Sequence, residues 1–480
     1  MGARRGLRAG VGALALILSA CAGDQTAALL PPSPPPEAPR AGTLDRAADR
    51  EHQKLVAAFG GEYRAPQARA LLAEITTRLV PATERPDEPY QVTILNSPVV
   101  NAFALPNGRL YVTRGLLALA NDTAEIAAVL AHEIAHVTLR HANARKELEL
   151  QSVLVSRVVA DVLNDPNAGA TMRDLSRVRI ASFSRAQELE ADQIGVRTLF
   201  GAKYDPYGAA RFLTALGRAG GAKSGVSPAS GSDMLSTHPA TTERIAIAVA
   251  AARRIGAPGL GENDRARYLA AIDGLAYGDN PTDGIVRGRR FLHPRLGVAF
   301  EAPEGLALEN TARAVVGASR EGDRRLLFDA IEAPEGQSLE ALLRSTWSDT
   351  IETGSVETTT VNGNPAALAT SRGKDWAFRL AAIRVGATTY RLIYATRTLS
   401  SESDRAFRAA LDSVRTVSAE EASSLQPLRL QVMAAGEGDT VASLAQRMPV
   451  DRPQETFLLL NGLDKAGPLK AGERYKVVVE

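Results

Sequence analysis

The residues best able to do chemistry in this 480-residue chain lie in one short run, His132-Glu133-Ile134-Ala135-His136. On an α-helix, histidines four positions apart project from one face, so both imidazoles can reach a single metal ion with Glu133 beside them. Nitrogen and oxygen donors of this kind suit zinc, giving an expectation of one Zn2+ per chain. A catalytic zinc site also wants a third protein ligand and an open position for water. His141 lies nine residues after His132, which at about 100° per residue places it on the far side of a continuous helix. With Arg140 beside it, His141 reads as a supporting or packing residue rather than a ligand. The metzincin spacing is excluded, because position 139 is Leu and position 142 is Ala. The better third ligand lies between Ser184 and Asp192, where Glu188 and Asp192 share one helical face. Glu188 completes the set, Asp192 can orient an imidazole ligand from outside, and Glu190 points elsewhere. Glu133 is then placed to take a proton from a zinc-activated water and pass it to a leaving amine, which is peptide hydrolysis.

The elements that must hold these residues are legible in the same way. From Ala124 to Leu150 an uninterrupted helical pattern sets Ile126, Val129, Leu130, Ile134 and Val137 on a wide apolar face, so the metal helix is expected to be buried. Tyr90 to Leu95 alternates as a strand, and Arg109 to Thr113 forms a second strand after the Pro106-Asn107-Gly108 turn signal. Helical patterning runs from Leu44 to Leu79 and again to about Arg254.

The stretch from Asn101 through Pro106, Asn107 and Gly108 to Leu116 resembles the HtpX and CAAX-prenyl-protease family of gluzincin zinc metallopeptidases. So do the His132–His136 helix with Arg140-His141, the Glu188–Asp192 turn, Tyr204-Asp205-Pro206, and Thr237-His238-Pro239 with Arg244-Ile245. The match covers roughly residues 44–255. It is closest to the soluble periplasmic branch, of the β-barrel-assembly-enhancing type. The resemblance implies a mainly helical zincin-type domain with a small β-sheet. It also implies an edge strand over Asn107, Gly108, Arg109, Leu110 and Tyr111 that offers backbone groups to an extended substrate. Unfolded or misassembled envelope proteins are the implied substrates. His238 and Arg244 belong to the pattern as further catalytic residues. Both could donate hydrogen bonds to the tetrahedral intermediate, or His238 could occupy the metal's open position and keep the site latent. The family usually has glycine before Tyr204-Asp205-Pro206, where this chain has Lys203.

The rest of the sequence supplies address and modules. Residues 1–20 read as a secretory signal, with Arg4, Arg5 and Arg8 ahead of an apolar stretch, and Leu18-Ser19-Ala20-Cys21 resembles a bacterial lipobox. The single cysteine, Cys21, is therefore the expected lipidation site, which anchors the chain to a membrane, by resemblance the outer one, from the periplasmic side. A proline-rich tether covers residues 21–43, including the run from Pro31 to Pro39. The peptidase domain spans 44–255, a linker 256–290, and an α+β accessory domain 291–417. The final unit, 428–480, resembles a βααβ LysM-like module expected to fold alone, with peptidoglycan as a candidate partner. Apolar content of 45%, charged content of 23% and a net charge of +2 exclude a polyelectrolyte chain and with it nucleic acid as a partner. Two other functions fit the same features: a chaperone-like scaffold for outer-membrane protein quality control, or a peptidoglycan-tethered inactive protease homologue.

Overall fold

The computed structural model describes residues 46–141, 184–222, 234–311, 314–334, 336–346, 351–424 and 426–480. The signal, Cys21, the tether and the expected helix beyond His141 lie outside the described residues. In chain order the first elements are helices α1 (Arg46–Ala58) and α2 (Pro66–Leu79), strands β1 (Gln91–Leu95), β2 (Ala102–Ala104) and β3 (Arg109–Thr113), then α3 (Arg114–Leu119) and α4 (Thr123–Thr138). Helices α5 (Arg185–Gly201), α6 (Gly208–Ala222), α7 (Met234–Thr237), α8 (Thr242–Ile255) and α9 (Arg265–Ile272) follow. Among the described residues, no helix is long and apolar enough to cross a membrane.

Helix α4 is the spine of this body. Asp122 caps it by accepting from the Glu125 amide, and nearly every residue of the helix is buried. It ends at Thr138, earlier than the sequence pattern suggests, because Arg140 takes a left-handed φ of +57°. That turn swings His141 back toward the site instead of leaving it on the far side of a longer helix. Helix α5 opens with a capping box between Ser184 and Gln187 and packs along α4.

The small sheet has the order β1-β3-β2, with β1 parallel and β2 antiparallel to β3. Gly108 makes the turn into β3 at a φ of +81°, where a Cβ would stand 2.1 Å from the Pro89 carbonyl oxygen. The expected substrate-binding edge over Asn107 to Tyr111 needs correction. β3 is the central strand, paired on both sides, so it has no free edge for strand addition. The edges belong to β1 and to β2, and β2 packs against α4.

Residues 256–290, read from sequence as a linker, contain α9, whose Tyr268, Leu269 and Ile272 join the peptidase core. They also contain β4 (Ile285–Arg287) and the start of β5 (Arg290–His293), which begin the accessory unit. That unit continues with β6 (Val298–Glu301), β7 (Leu306–Asn310), β8 (Ala314–Ser319), β9 (Arg324–Ile331), α10 (Leu339–Thr346), β10 (Glu357–Val361), β11 (Asn364–Arg372), β12 (Ala377–Val385), β13 (Thr388–Thr396), α11 (Ser401–Asp412) and β14 (Arg415–Thr416). Seven antiparallel strands run in the order β10-β11-β12-β13-β9-β8-β7, beside a four-stranded sheet β14-β6-β5-β4. Alternation along β12 sends Leu380 and Ala382 to the α10 face, and Ala381 and Ile383 to the core shared with Phe407 of α11.

After α12 (Ala419–Ser424) come β15 (Arg429–Ala434), α13 (Val441–Ala445), α14 (Pro453–Asn461) and β16 (Arg474–Val479), a βααβ unit whose two strands pair antiparallel. The expectation that it folds alone meets a physical obstacle. Leu428, Leu430, Phe457, Leu460 and Val478 belong to the same hydrophobic core as the peptidase body. The 274–277 segment exchanges backbone hydrogen bonds with residues 428–430: Gly274 donates to Leu430, Leu430 to Leu275, and Tyr277 to Leu428. Lys476 is fully buried, and its Nζ donates to the carbonyls of Ala118 and Ala120, both at 2.7 Å, at the end of α3. In isolation the unit would expose part of that core and lose the Ala118 and Ala120 carbonyls that accept from Lys476.

Candidate metal centre

Two described helices and the turn after α7 converge on one buried point. His132 and His136 project from α4 and Glu188 from the first turn of α5, while His238 follows directly after α7. The four offer ligand atoms that all lie within 4.8 Å of one another. His136 Nε2 stands 3.0 Å from His132 Nε2, which is 3.3 Å from His238 Nδ1. Glu188 Oε1 is 2.8 Å from His238 Nδ1 and 3.4 Å from His136 Nε2. Donors around a tetrahedral zinc with bonds of about 2.0–2.1 Å are separated by about 3.3 Å, so this cluster has the size of a zinc coordination shell.

Electrostatics point the same way. Imidazole nitrogens facing one another at 3.0 Å cannot each be served by protons, whereas one cation satisfies all of them. Burial disfavours the imidazolium at His132, yet hydrogen bonds with Asp192 and Glu188 override it and push its pKa up to about 10. Burial pushes its neighbour His136 down to about 3. Burial would also raise Glu188, but hydrogen bonds from His132, His136 and His238 hold its carboxyl far below the usual carboxylate range. This is a cavity that stabilises positive charge at its centre. The donor set and the spacing therefore fit zinc.

Around the cluster each remaining group has a distinct place. Asp192 Oδ1 accepts from His132 Nδ1 at 3.0 Å, which leaves Nε2 as the metal-facing atom. His141 Nδ1 lies 2.9 Å from His136 Nδ1, and its Nε2 is 3.4 Å from Glu190, so Glu190 is tied to the site through His141. Gly195 on α5 faces the backbone of His132, where a Cβ would come 3.5 Å from the His132 nitrogen, an ordinary van der Waals contact. Glu133 is 2% exposed, its Oε1 has no hydrogen-bond partner, and His238 Nε2 is the nearby cation-capable group at 3.8 Å. Burial raises the Glu133 pKa above the ordinary carboxyl value, although His238 and His132 partly oppose the shift.

Arg244 lies against the ligand Glu188 and the supporting Asp192. Its Nε and Nη2 grip both oxygens of Asp192 at 2.7 Å, and its Nη1 bonds the Pro239 carbonyl and lies 2.7 Å from Glu188 Oε2. With four of its five N–H donors engaged in this way, Arg244 holds Asp192 and Glu188 in position. Of the strand residues, Arg109 pairs with Asp49, and Tyr111 is buried with its hydroxyl 2.8 Å from His52 Nδ1. Leu110 is a core residue, while Asn107 accepts from the Arg109 amide at the exposed turn. None of these side chains reaches the cluster.

A second buried network under the N-terminus of α4 escaped sequence reasoning. Arg211 of α6 bonds Asp122 at 2.9 Å and Asp205 at 2.7 Å, while Glu125 accepts from the Asn121 amide at 2.8 Å. Arg265 of α9 donates to both the carbonyl and the side-chain oxygen of Asn121. The Tyr204-Asp205-Pro206 motif was its one visible trace. Lys203, just before it, sits at a φ of +66°, which explains why glycine is the usual occupant there.

A buried helix bearing two histidines and a glutamate, completed by a glutamate from the next helix, defines a zincin-type metallopeptidase centre. Residues 66–252 match the model of peptidase family M48, so this part of the chain is similar to an M48 peptidase domain. It is 39% identical over 160 residues to the mitochondrial metalloendopeptidase OMA1 of Arabidopsis thaliana, covering 32% of this chain and 30% of that protein. It is also 32% identical over 182 residues to the β-barrel assembly-enhancing protease of Yersinia pestis, covering 36% of each. With the Escherichia coli K12 protein of that name it shares 30% over 148 residues, 29% of this chain and 30% of that one. The chain thus spans about a third of the length of these relatives.

Proposed function

We propose that this chain is a zinc-dependent metalloendopeptidase acting on unfolded or misassembled proteins of the bacterial envelope. One observation carries the hydrolytic reading: three metal-facing donors from His132, His136 and Glu188 meet beside a buried Glu133 whose Oε1 is unpaired and whose pKa is raised. Zinc, when bound, supplies Lewis acidity and lowers the pKa of water toward about 7. Glu133 accepts the proton of the attacking water as its oxygen bonds the scissile carbonyl carbon. It then delivers that proton to the amine nitrogen as the C–N bond breaks. Asp192 and Arg244 keep His132 and Glu188 oriented throughout. Among the described residues the outer edge of β2 is unpaired, so it can offer backbone groups to an extended chain, and strand addition asks for no particular side chains, which suits unfolded substrates.

His238 occupies the fourth corner of the cluster, which supports the latent-state reading over the oxyanion-donor reading. The envelope location, the membrane anchor at Cys21 and the substrate class rest on the N-terminal sequence and on the relatives' names. For the LysM-like module, the burial of Lys476 against α3 favours docking to the peptidase body over service as a peptidoglycan tether. Metal analysis tests the site directly. Purified wild type should retain about one zinc per chain and lose casein cleavage on chelation, and Glu188→Gln should retain far less zinc. Full zinc retention by the variant would remove Glu188 from the ligand set.

A further inference from the structure

Between the peptidase body and the C-terminal unit lies a cavity of about 250 Å³. Val100, Leu119, Ala219, Leu459 and Leu460 make much of its wall apolar. Its charged and polar groups are mainly donors. Arg114, which also lines it, is 1% exposed. The Arg114 Nε donates to Asn96 at 2.9 Å and its Nη1 to the Ala276 carbonyl at 3.1 Å, but the buried Nη2 has no hydrogen-bond partner among the described residues. Helix α14 begins at the cavity with Arg452, Glu455 and Thr456, and no side chain caps its first turn. Among the described lining residues Glu455 is the one carboxylate, and it is paired with Arg452 at 2.9 Å, while Asp279 and Asp283 act on Arg114 through space.

A buried guanidinium nitrogen without an acceptor is costly, and an uncapped helix start favours negative charge. Both needs are met by a ligand head that only accepts hydrogen bonds and carries a charge, and the apolar wall asks for an apolar body attached to it. We propose that this cavity binds a carboxylate on an apolar residue, namely the C-terminal residue of a polypeptide. The choice of a peptide source rests on the peptidase reading above, since each cleavage creates a new C-terminus. Position supports it too. Val100 lies two residues before the β2 edge, and its carbonyl accepts from the Met234 amide at 3.0 Å, at the start of the helix that leads to His238.

The test is calorimetric binding to the full chain carrying Glu133→Gln, so that nothing is cleaved and the result does not depend on hydrolysis. The probes are N-acetyl-Ala-Leu-Leu as the free acid, the same peptide as its C-terminal amide, and octanoate. The acid should bind once per chain, and the amide about tenfold or more weaker, the scale of one charge-assisted hydrogen bond. Arg114→Gln should abolish the preference for acid. Leu459→Trp, which puts an indole into the cavity from α14 and keeps Arg114, should abolish binding while leaving zinc content unchanged. Equal affinity for acid and amide, no binding at millimolar peptide, or acid binding that survives Leu459→Trp would overturn the proposal. Octanoate binding as tightly as the peptide acid would overturn the peptide source.

Discussion

Replacing Lys476 with Met isolates the link between the C-terminal unit and the base of the metal helix. Lys476 Nζ donates to the Ala118 and Ala120 carbonyls at 2.7 Å and more weakly to Leu119 at 3.4 Å. Methionine fills nearly the same volume but strands those two carbonyls in a dry interface. At about 1–2 kcal/mol per stranded buried acceptor, the variant should lose about 2–4 kcal/mol. The loss is smaller than the gross hydrogen-bond energy because the buried ammonium, whose pKa burial pushes well below the ordinary lysine value, no longer has to be desolvated. Equilibrium urea unfolding by circular dichroism measures the total. Hydrogen exchange across residues 118–125 locates it, since Asn121 and the cap Asp122 follow directly. A change below about 0.5 kcal/mol with unaltered exchange there would refute the claim that Lys476 fastens the unit to this loop.

Lys203→Gly should stabilise the chain by about 0.5–1 kcal/mol in the same assay, because relief of left-handed strain exceeds the entropy cost of glycine. Burial, reinforced by Asp122, raises Glu125 to about 7 in the folded chain. A raised carboxyl pKa contributes stability that is complete below the unfolded value near 4.5 and is lost as pH rises through 7. Relative to Glu125→Gln, wild type should therefore lose on the order of 1–3 kcal/mol between pH 4.5 and 7.5; a pH-independent difference would contradict the shift. His238→Ala should raise basal casein cleavage if the residue holds the site latent, and a fall of about a hundredfold would instead restore the oxyanion-donor role.

The metal cluster was legible because helical spacing alone puts His132 with His136, and Glu188 with Asp192, on common faces. What spacing could not give was the turn at Arg140. One left-handed residue carried His141 to the opposite side of the helix from where 100° per residue placed it. Arg244 was legible as part of the site, but only three-dimensional pairing shows that it binds Asp192 and Glu188. The strand at Arg109 to Thr113 was visible from alternation and its turn signal. Its central position was not, because the three-residue β2 is too short to leave a period. Least legible was the joining of the C-terminal unit to the peptidase body. A lysine in a strand reads as a solvated residue, and nothing local to Lys476 announces acceptors more than 350 positions earlier in the chain.

The central claim is that Glu133 moves the proton in a peptide hydrolysis performed at the His132–His136–Glu188 centre. It is tested most directly by measuring zinc content and casein cleavage on the same preparations of wild type and Glu133→Gln. The account predicts about one zinc per chain in both, with cleavage in wild type and a loss of at least about a hundredfold in the variant. Equal cleavage by the two zinc-loaded proteins, or zinc-loaded wild type as inert as the variant, would contradict it.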